Sequence, residues 1–512
     1  MDAYTLSQEI QNHRISCVQI MEATLKRIDQ VNDKVNAIIC MKPKEDLIRQ
    51  AKRMDMVHSD HNKGWLRGIP VAIKDLSNVT GFPTTYGGSQ LFKDFHASFN
   101  DPYVQKLVAA GVIVIGKTNV PENGVGSHTY NPQWGTTRNP FDLSRSAGGS
   151  SGGAAVAIAT GMLPFADGTD MMGSLRNPAG WNNIYSHRPT AGWIAGSVKS
   201  KWNPLEYPIS TPGPMAKTPL DLALLLETMV RNNDLFSAAP LLQAESKYGD
   251  SIDNKKLPTF GNQPLRIGWL GDWGGSYPFE DGIISLCQSA LDAMVKHRIA
   301  TVDDLSQQPI FPATQLWTSW NHIRFALTAA NVRNSFDEEI LLGDDSPIKP
   351  ELQFEIRQGN LVTKEDIDKA ATVAEEYHAC LNQVFQAYDV LALPSAQVWP
   401  FPAEWTYPTS IAGTAMDTYH RWMEVCVPVS FGGLPCTTVP AGFRTSIPNE
   451  DGRCTDLPMG LTLFAKRDDD LKLLQLAQVY HKVTNWPSKV IGSEDGDADS
   501  LLKYKPDSET NL

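Results

Sequence analysis

A layered α/β fold is predicted by three observations. Amphipathic segments of helical period alternate along the chain with short, β-branched apolar runs. Hydrophobic residues make up 42% of 512 positions and charged residues 20%, which supports a sizeable core and argues against disorder. No internal repeat is present. By length alone the chain holds one large domain or two to three ordinary ones.

The elements follow in chain order. The first 60 residues read as two amphipathic helices, with Val18, Met21, Leu25, Ile28 and Val31 at helical spacing. Pro70 to Ile73 reads as a short buried strand ending at Lys74. Asp101 to Ala110 reads as a helix, followed by Gly111 and the β-branched run Val112–Ile115, a buried strand. Ala154 to Thr160 is a helix of small residues directly after a glycine-serine loop, and Gly161 to Ala166 a further strand candidate. Residues 232–263 are polar and proline-bearing, the pattern of a surface connection. Leu265 to Leu270 starts another strand, 279–296 and 363–387 read as helices, and Tyr388 to Pro394 is a strand stopped by proline. The acidic tail from about 488 is expected to fray.

Composition narrows the function classes. The net charge of −12 leaves no electrostatic footprint for nucleic acid or an anionic membrane. No run approaches the roughly 18 apolar residues of a membrane span. The N-terminus lacks a basic stretch followed by an apolar core, so it does not read as a signal peptide. Seven scattered cysteines form no Cys-x-x-Cys pair, which argues against disulfides and structural zinc and fits a reducing cytoplasm. Asn78-Val79-Thr80 matches a glycosylation acceptor, a chance match without secretion.

Two motif matches fail on their context. Gly111 to Thr118 fits the pattern Gly-x4-Gly-Lys-Thr, but four β-branched residues fill what must be a flexible phosphate-cradling loop. Val71-Ala72-Ile73-Lys74 fits the ATP-lysine strand of kinases, yet no glycine-rich loop, His-Arg-Asp or Asp-Phe-Gly accompanies it.

The chemistry gathers on two serines and a lysine. Ser150 lies in Gly148-Gly149-Ser150-Ser151-Gly152-Gly153, a loop that opens a helix whose N-terminal amides favour oxyanion character. Ser174 follows Gly173 and precedes Arg176, a turn that can present a hydroxyl beside free amides; taken alone, it reads as the cap of a helix beginning near Leu175. No Ser-His-Asp signature supplies a base. Lys74 is the alternative, provided burial makes it neutral near pH 7, which takes about 4 to 5 kcal/mol of differential solvation. The competing reading is a surface lysine at a strand end.

At this point the strings match a known family. Gly68-Ile69-Pro70-Val71-Ala72-Ile73-Lys74-Asp75, then Ala110-Gly111-Val112 through Asn119, then Asn131 to Pro140 with Trp134-Gly135-Thr136-Thr137, then the Gly148–Gly153 loop and Gly168-Thr169-Asp170 through Ala179 occur in order. With Tyr388-Asp389-Val390, Gly433-Leu434-Pro435 and Leu457 to Leu461 farther on, the chain strongly resembles the amidase signature family over most of its length. The resemblance implies a single α/β/α domain with a large mixed sheet covered by helices. It implies N-terminal helices over 1–60, a catalytic domain over 61–490 and a polar tail over 491–512. It implies a Ser-cisSer-Lys triad: Ser174 the nucleophile, Ser150 the relay on a cis peptide bond, Lys74 the base. Backbone amides of Met171, Met172, Gly173 and Ser174 would form the oxyanion hole, with Ser151, Asp170 and Arg176 as supports. No metal or organic cofactor is implied, and a homodimer is left open.

Two departures stand out. The family's Thr-Asp-x-Gly-Gly-Ser reads Thr169-Asp170-Met171-Met172-Gly173-Ser174 here, which puts a side chain on the oxyanion loop, where a positive φ would be costly. The usual Gly before the Arg-Pro-Thr region reads Ser186-His187-Arg188-Pro189-Thr190, and His187 is taken as structural. The expected activity is hydrolysis of a small-molecule carboxamide, anilide or oligoamide. Trp399, Phe401, Trp405, Tyr407, Tyr419 and Trp422 are either pocket lining or core. The competing readings are a glutaminase-like subunit of a tRNA-dependent amidotransferase and a non-catalytic binding protein on the same fold.

Overall fold

Apolar runs buried on both faces pair into one large sheet, and a smaller sheet abuts its edge. The computed structural model describes residues 1–56, 64–194, 209–248, 264–333, 336–343, 345–448, 454–492 and 499–505. The small sheet has the order β1-β3-β2, from β1 (Ile38–Ile39), β2 (Pro70–Lys74) and β3 (Ile113–Thr118). β2 and β3 run parallel, and every residue of both is buried. The Gly-x4-Gly-Lys-Thr segment is therefore a core strand, as its β-branched interior dictates.

A short ribbon, β4 (Arg138–Asn139) and β5 (Asp142–Ser146), precedes the strands of the large sheet. Those are β6 (Phe165–Asp170), β7 (Tyr185–Arg188), β8 (Thr211–Ala216), β9 (Leu265–Trp269), β10 (Ala300–Asp304) and β11 (Val390–Pro394). After a second ribbon, β12 (Ser410–Ile411) with β13 (Thr414–Ala415), the long strands β14 (Cys436–Pro448) and β15 (Cys454–Phe464) complete it. The order is β10-β9-β11-β15-β14-β7-β8-β6. β10, β9 and β11 are mutually parallel, and the rest pair antiparallel, so the sheet is mixed. β6 is the edge strand, and the backbone N–H of Lys74 reaches across from β2 to Asp167 on it at 2.9 Å.

Helices cover these layers. Three, not two, occupy the first 56 residues: α1 (Ala3–Gln11), α2 (Cys17–Val35) and α3 (Lys44–Met56). α2 starts at a Ser16/Gln19 capping box and stops at Asn36 in the left-handed conformation, after which the chain extends into β1 and needs a new helix start. α4 (Pro102–Ala109) opens on proline, and α5 (Gly152–Ala159) is buried at every position, small residues letting it lie between the sheets. α6 (Arg176–Trp181) is likewise wholly buried. α7 (Pro219–Met229), α8 (Ala239–Tyr248) and α9 (Ile283–Lys296) follow, then α10 (Ala313–Arg333), α11 (Glu338–Leu342) and α12 (Pro350–Leu361). α13 (Lys364–Ala387), α14 (Val427–Phe431) and α15 (Asp470–Thr484) complete the set. Among the described residues, no helix is long and apolar enough to cross a membrane.

Three sequence expectations shift. The strand expected at Gly161–Ala166 forms at Phe165–Asp170, because Gly161 turns at φ 74° and Pro164 precedes the first ladder residue. Of the connection expected over 232–263, residues 239–248 form α8 and 249–263 lie outside the described residues. The tail does not simply fray: β16 (Val490–Gly492) pairs with β17 (Leu502–Tyr504), and Tyr504 stacks on Phe443 at 4.5 Å.

α6 sits directly on β15 because Gly180 faces Gly460. A Cβ on Gly180 would lie 2.8 Å from the Gly460 nitrogen and 2.3 Å from Ser395 Oγ. Gly180→Ala is expected to destabilise the fold by about 1 to 3 kcal/mol through overpacking. Denaturant unfolding checks this, and an unchanged midpoint would contradict the close-approach reading.

Candidate active site

The lysine comes from the end of β2, where apolar neighbours seal it. Lys74 has no exposed surface. Its Nζ donates to Ser150 Oγ, Ser151 Oγ and Thr169 Oγ1, each at 2.8 Å, and lies 3.4 Å from the Thr169 carbonyl. These partners are all neutral. Burial therefore pushes the ammonium down to about 7, against the weaker upward pull of Asp167 and Asp170. The alternative of a surface lysine is excluded.

Ser150 and Ser151 come from the loop before α5, and the Gly149–Ser150 peptide bond is cis. Ser150 Oγ links two environments: it accepts from Lys74 and it also borders a cavity of about 530 Å³ that Ser174 and Met171 share. Ser174 is 9% exposed there. It does not cap α6, whose N-cap is Leu175 with no side-chain bond. The Ser174 carbonyl instead accepts from Ser151 N at 3.3 Å, which ties the two serine loops together.

Asp170, at the end of β6, shapes the loop. Its carboxylate accepts from Gly173 N at 3.0 Å and Leu175 N at 3.1 Å, and Arg176 grips it with Nε at 3.0 Å and Nη2 at 2.8 Å. Arg188 Nε stands 3.5 Å away. Burial alone would raise this carboxyl, but Arg176, Arg188 and the Gly173 amide outweigh it and hold it well below the usual carboxylate range. Arg176 also donates to the Cys426 carbonyl at 2.9 Å and Ser430 Oγ at 2.7 Å.

This geometry corrects two expectations. The Gly173 amide is engaged by Asp170, so of the four amides expected at the oxyanion hole it is not available. The positive φ, 91°, falls on Gly173 and not on Met172, so Met172 sits on the loop without left-handed strain. The Met172 side chain is buried, with Sδ 3.4 Å from Arg324 Nη1.

Several site residues were not anticipated. Thr169 and Asp167 project from the same face of β6, and Asp167 Oδ2 accepts from the Tyr103 hydroxyl at 2.7 Å. The alternation of polar residues Asp167 and Thr169 before Asp170 was the available signal. Arg324, Thr328 and Glu355 reach the cavity from α10 and α12, and nothing local in those helices announced it. The cavity's aromatic lining is Tyr86, Phe92 and Phe336, not the tryptophan-rich segment. Trp422 instead stacks on Trp181 at 5.8 Å, Phe401 packs edge-on to both, and Trp405 stands half exposed. His187 is buried between Thr437 Oγ1 at 2.8 Å and Asp470 Oδ1 at 3.1 Å, a structural position.

An amine that burial brings down to about 7, two serine hydroxyls at one cavity wall and loop amides without a protein acceptor among the described residues can together support acyl transfer. The Amidase family model matches residues 19–474, and the chain belongs to this family. It is 29% identical over 496 residues to an acylamidase of Rhodococcus erythropolis, covering 96% of each protein. It is also 29% identical over 505 residues to a glutamyl-tRNA(Gln) amidotransferase subunit of Chloroflexus aurantiacus, covering 92% of this chain and 94% of that one. Among solved structures, a bacterial aryl acylamidase of the amidase signature enzymes superposes with a TM-score of 0.79 at 25% identity, covering 95% of this chain and 97% of that one.

The Lys74 value sets a pH dependence. The free amine, the form able to accept a proton, accumulates as pH rises through about 7. Hydrolytic kcat/KM is expected to climb tenfold per pH unit below that point and level off above it. A profile flat from pH 5 to 8 would remove Lys74 from the role of base.

Proposed function

We propose that this chain hydrolyses the C–N bond of a small-molecule carboxamide, anilide or oligoamide through a serine acyl-enzyme. The observation that carries the proposal is Lys74: a sealed amine bonded to three hydroxyls and, among the described residues, to no carboxylate, with two of the hydroxyl-bearing residues, Ser150 and Thr169, lining the cavity beside Ser174. The acylamidase and aryl acylamidase relatives support the same chemistry.

In this reading neutral Lys74 takes the Ser150 proton as Ser150 takes that of Ser174, and Ser174 Oγ attacks the amide carbon. The oxyanion meets the amides of Met171, Met172 and Ser174, which have no protein acceptor among the described residues. The proton then passes back through Ser150 to the departing amine, the C–N bond breaks, and an ester to Ser174 remains. Water attacks that ester with the same relay drawing its proton, and the carboxylic acid leaves. Ser151 and Thr169 hold the amine in line, and Asp170 with Arg176 keeps the loop in shape. No step calls for a metal or organic cofactor, and the partner is the amide itself. The scattered cysteines support a reducing, cytoplasmic setting.

A fluorophosphonate probe is expected to add once to the native protein, at Ser174, and not at all to Ser174→Ala, read by intact-mass spectrometry. Lys74→Met is expected to lower kcat/KM on anilides by at least a thousandfold while Ser150→Ala does the same, since each interrupts one relay. Absence of the adduct would overturn the acyl-enzyme reading.

The amidotransferase relatives favour a second reading, a glutaminase that works within a complex. Ammonia release from glutamine by the chain mixed with amidotransferase partner subunits, compared with anilide turnover by the chain alone, separates the two.

A further inference from the structure

The cavity beside Ser174 holds two ionisable groups of opposite charge among its described lining residues, Arg324 and Glu355, and each is already satisfied. Arg324, on α10, is 5% exposed, and Glu355, on α12, is 1% exposed. Arg324 Nε donates to Glu355 Oε1 at 2.7 Å and Nη2 donates to the Tyr419 hydroxyl at 2.6 Å. The Tyr419 hydroxyl in turn donates to Glu355 Oε1, and Thr328 Oγ1 donates to Glu355 Oε2 at 3.0 Å. Burial works against the Arg324 charge, yet the Glu355 carboxylate outweighs it and the guanidinium stays charged.

One edge of the guanidinium remains, and Met172 covers it. Nη1 points at Met172 Sδ, 3.4 Å away. A thioether is a weak acceptor, so this contact shields a donor without neutralising it. Met172 is the residue at which the oxyanion loop carries a side chain instead of the family's glycine. Part of the remaining wall is apolar and aromatic: the Tyr86 and Phe92 rings are 4.2 Å apart, Phe336 meets Phe92 edge-on at 5.5 Å, and Leu341 and Leu352 lie beside them, while Asn123, Ser210 and Asn331 add uncharged polar groups.

We propose that the Arg324–Glu355–Tyr419 cluster, capped by Met172, makes this site selective for uncharged amides with an aryl or alkyl body and excludes substrates carrying a carboxylate. A carboxylate entering the cavity loses its hydration and finds no free cation among the described lining residues, because Arg324 would have to leave Glu355 or Met172 to meet it. An aromatic ring loses nothing of the kind against Tyr86 and Phe92. Glutamine, a zwitterion, falls in the excluded class. The inference rests on the cavity being the substrate site and adds which substrates it takes.

The test is binding in the Ser174→Ala protein, measured calorimetrically with acetanilide and with 4-acetamidobenzoate, which differ by one carboxylate. Acetanilide is expected to bind at least tenfold more tightly. Glu355→Gln in that background keeps one acceptor oxygen for Tyr419, turns the position facing the Thr328 hydroxyl into a donor that this hydroxyl can accept from, and removes the carboxylate that neutralises Arg324; it is expected to narrow the ratio at least fivefold. Met172→Gly, which uncovers Nη1, is expected to narrow it in the same direction, and thermal melts establish that each variant is folded. Equal affinities in Ser174→Ala, no binding of acetanilide, or a ratio unmoved in whichever of the two variants folds would overturn the proposal. A native protein that resists the fluorophosphonate yet discriminates between the two ligands would sink the hydrolase reading and leave the selectivity standing.

Discussion

A lysine amine sealed from water without a contacting carboxylate is the constraint on which the rest of this structure depends. Had Asp167 met Nζ directly, Coulomb attraction in so dry a site would hold the ammonium charged and useless as a base. Asp167 instead accepts from the Lys74 backbone N–H and from Tyr103, so its carboxylate faces the peptide and not the amine. Desolvation then dominates. That outcome needs a strand buried on both faces, an edge strand beside it and a hydroxyl-bearing loop closed over its end. β2, β6 and the Gly148–Gly153 loop meet those three requirements.

The loop that carries Ser174 depends on a second buried interaction of opposite character. Asp170 and Arg176 are a fully formed ion pair in the interior, bidentate and bonded further to backbone amides and carbonyls. Replacing such a pair by apolar residues is often neutral for stability. Its value here is directional, since the same carboxylate that holds Arg176 also orients the Gly173 and Leu175 amides. Through Cys426 and Ser430 the pair joins the first half of the chain to the α14 region, so the loop is positioned by residues about 250 positions away in sequence.

The cavity wall bearing Arg324 and Glu355 is a different structural layer from the one bearing the lysine and the two serines. Lys74, Ser150 and Ser174 sit where β2 and β6 meet, whereas Arg324 and Glu355 belong to helices that add a second small apolar cluster around Tyr419, Leu352 and Ile356. Met172 is where the two layers touch. The buried lysine and serines thus come from one part of the fold and the ion pair at the cavity wall from another, so the two sets of residues are positioned by separate elements.

The sequence alone determined the α/β class, the buried character of the strand before Lys74 and the family strings carrying Lys74, Ser150, Ser174, Asp170 and Arg176. Those features are local: β-branched runs, glycine loops and short-range order along the chain report directly on backbone preference. The engagement of the Gly173 amide, the roles of Thr169 and Asp167, and the aromatic lining by Tyr86, Phe92 and Phe336 were decided only by tertiary structure. Likewise, the surroundings of Arg324 were decided only when α10, α12 and Tyr419 closed around it. Whether a charge is free or spent depends on what packs against it, and partners 31 and 95 positions away leave no periodic trace in the chain.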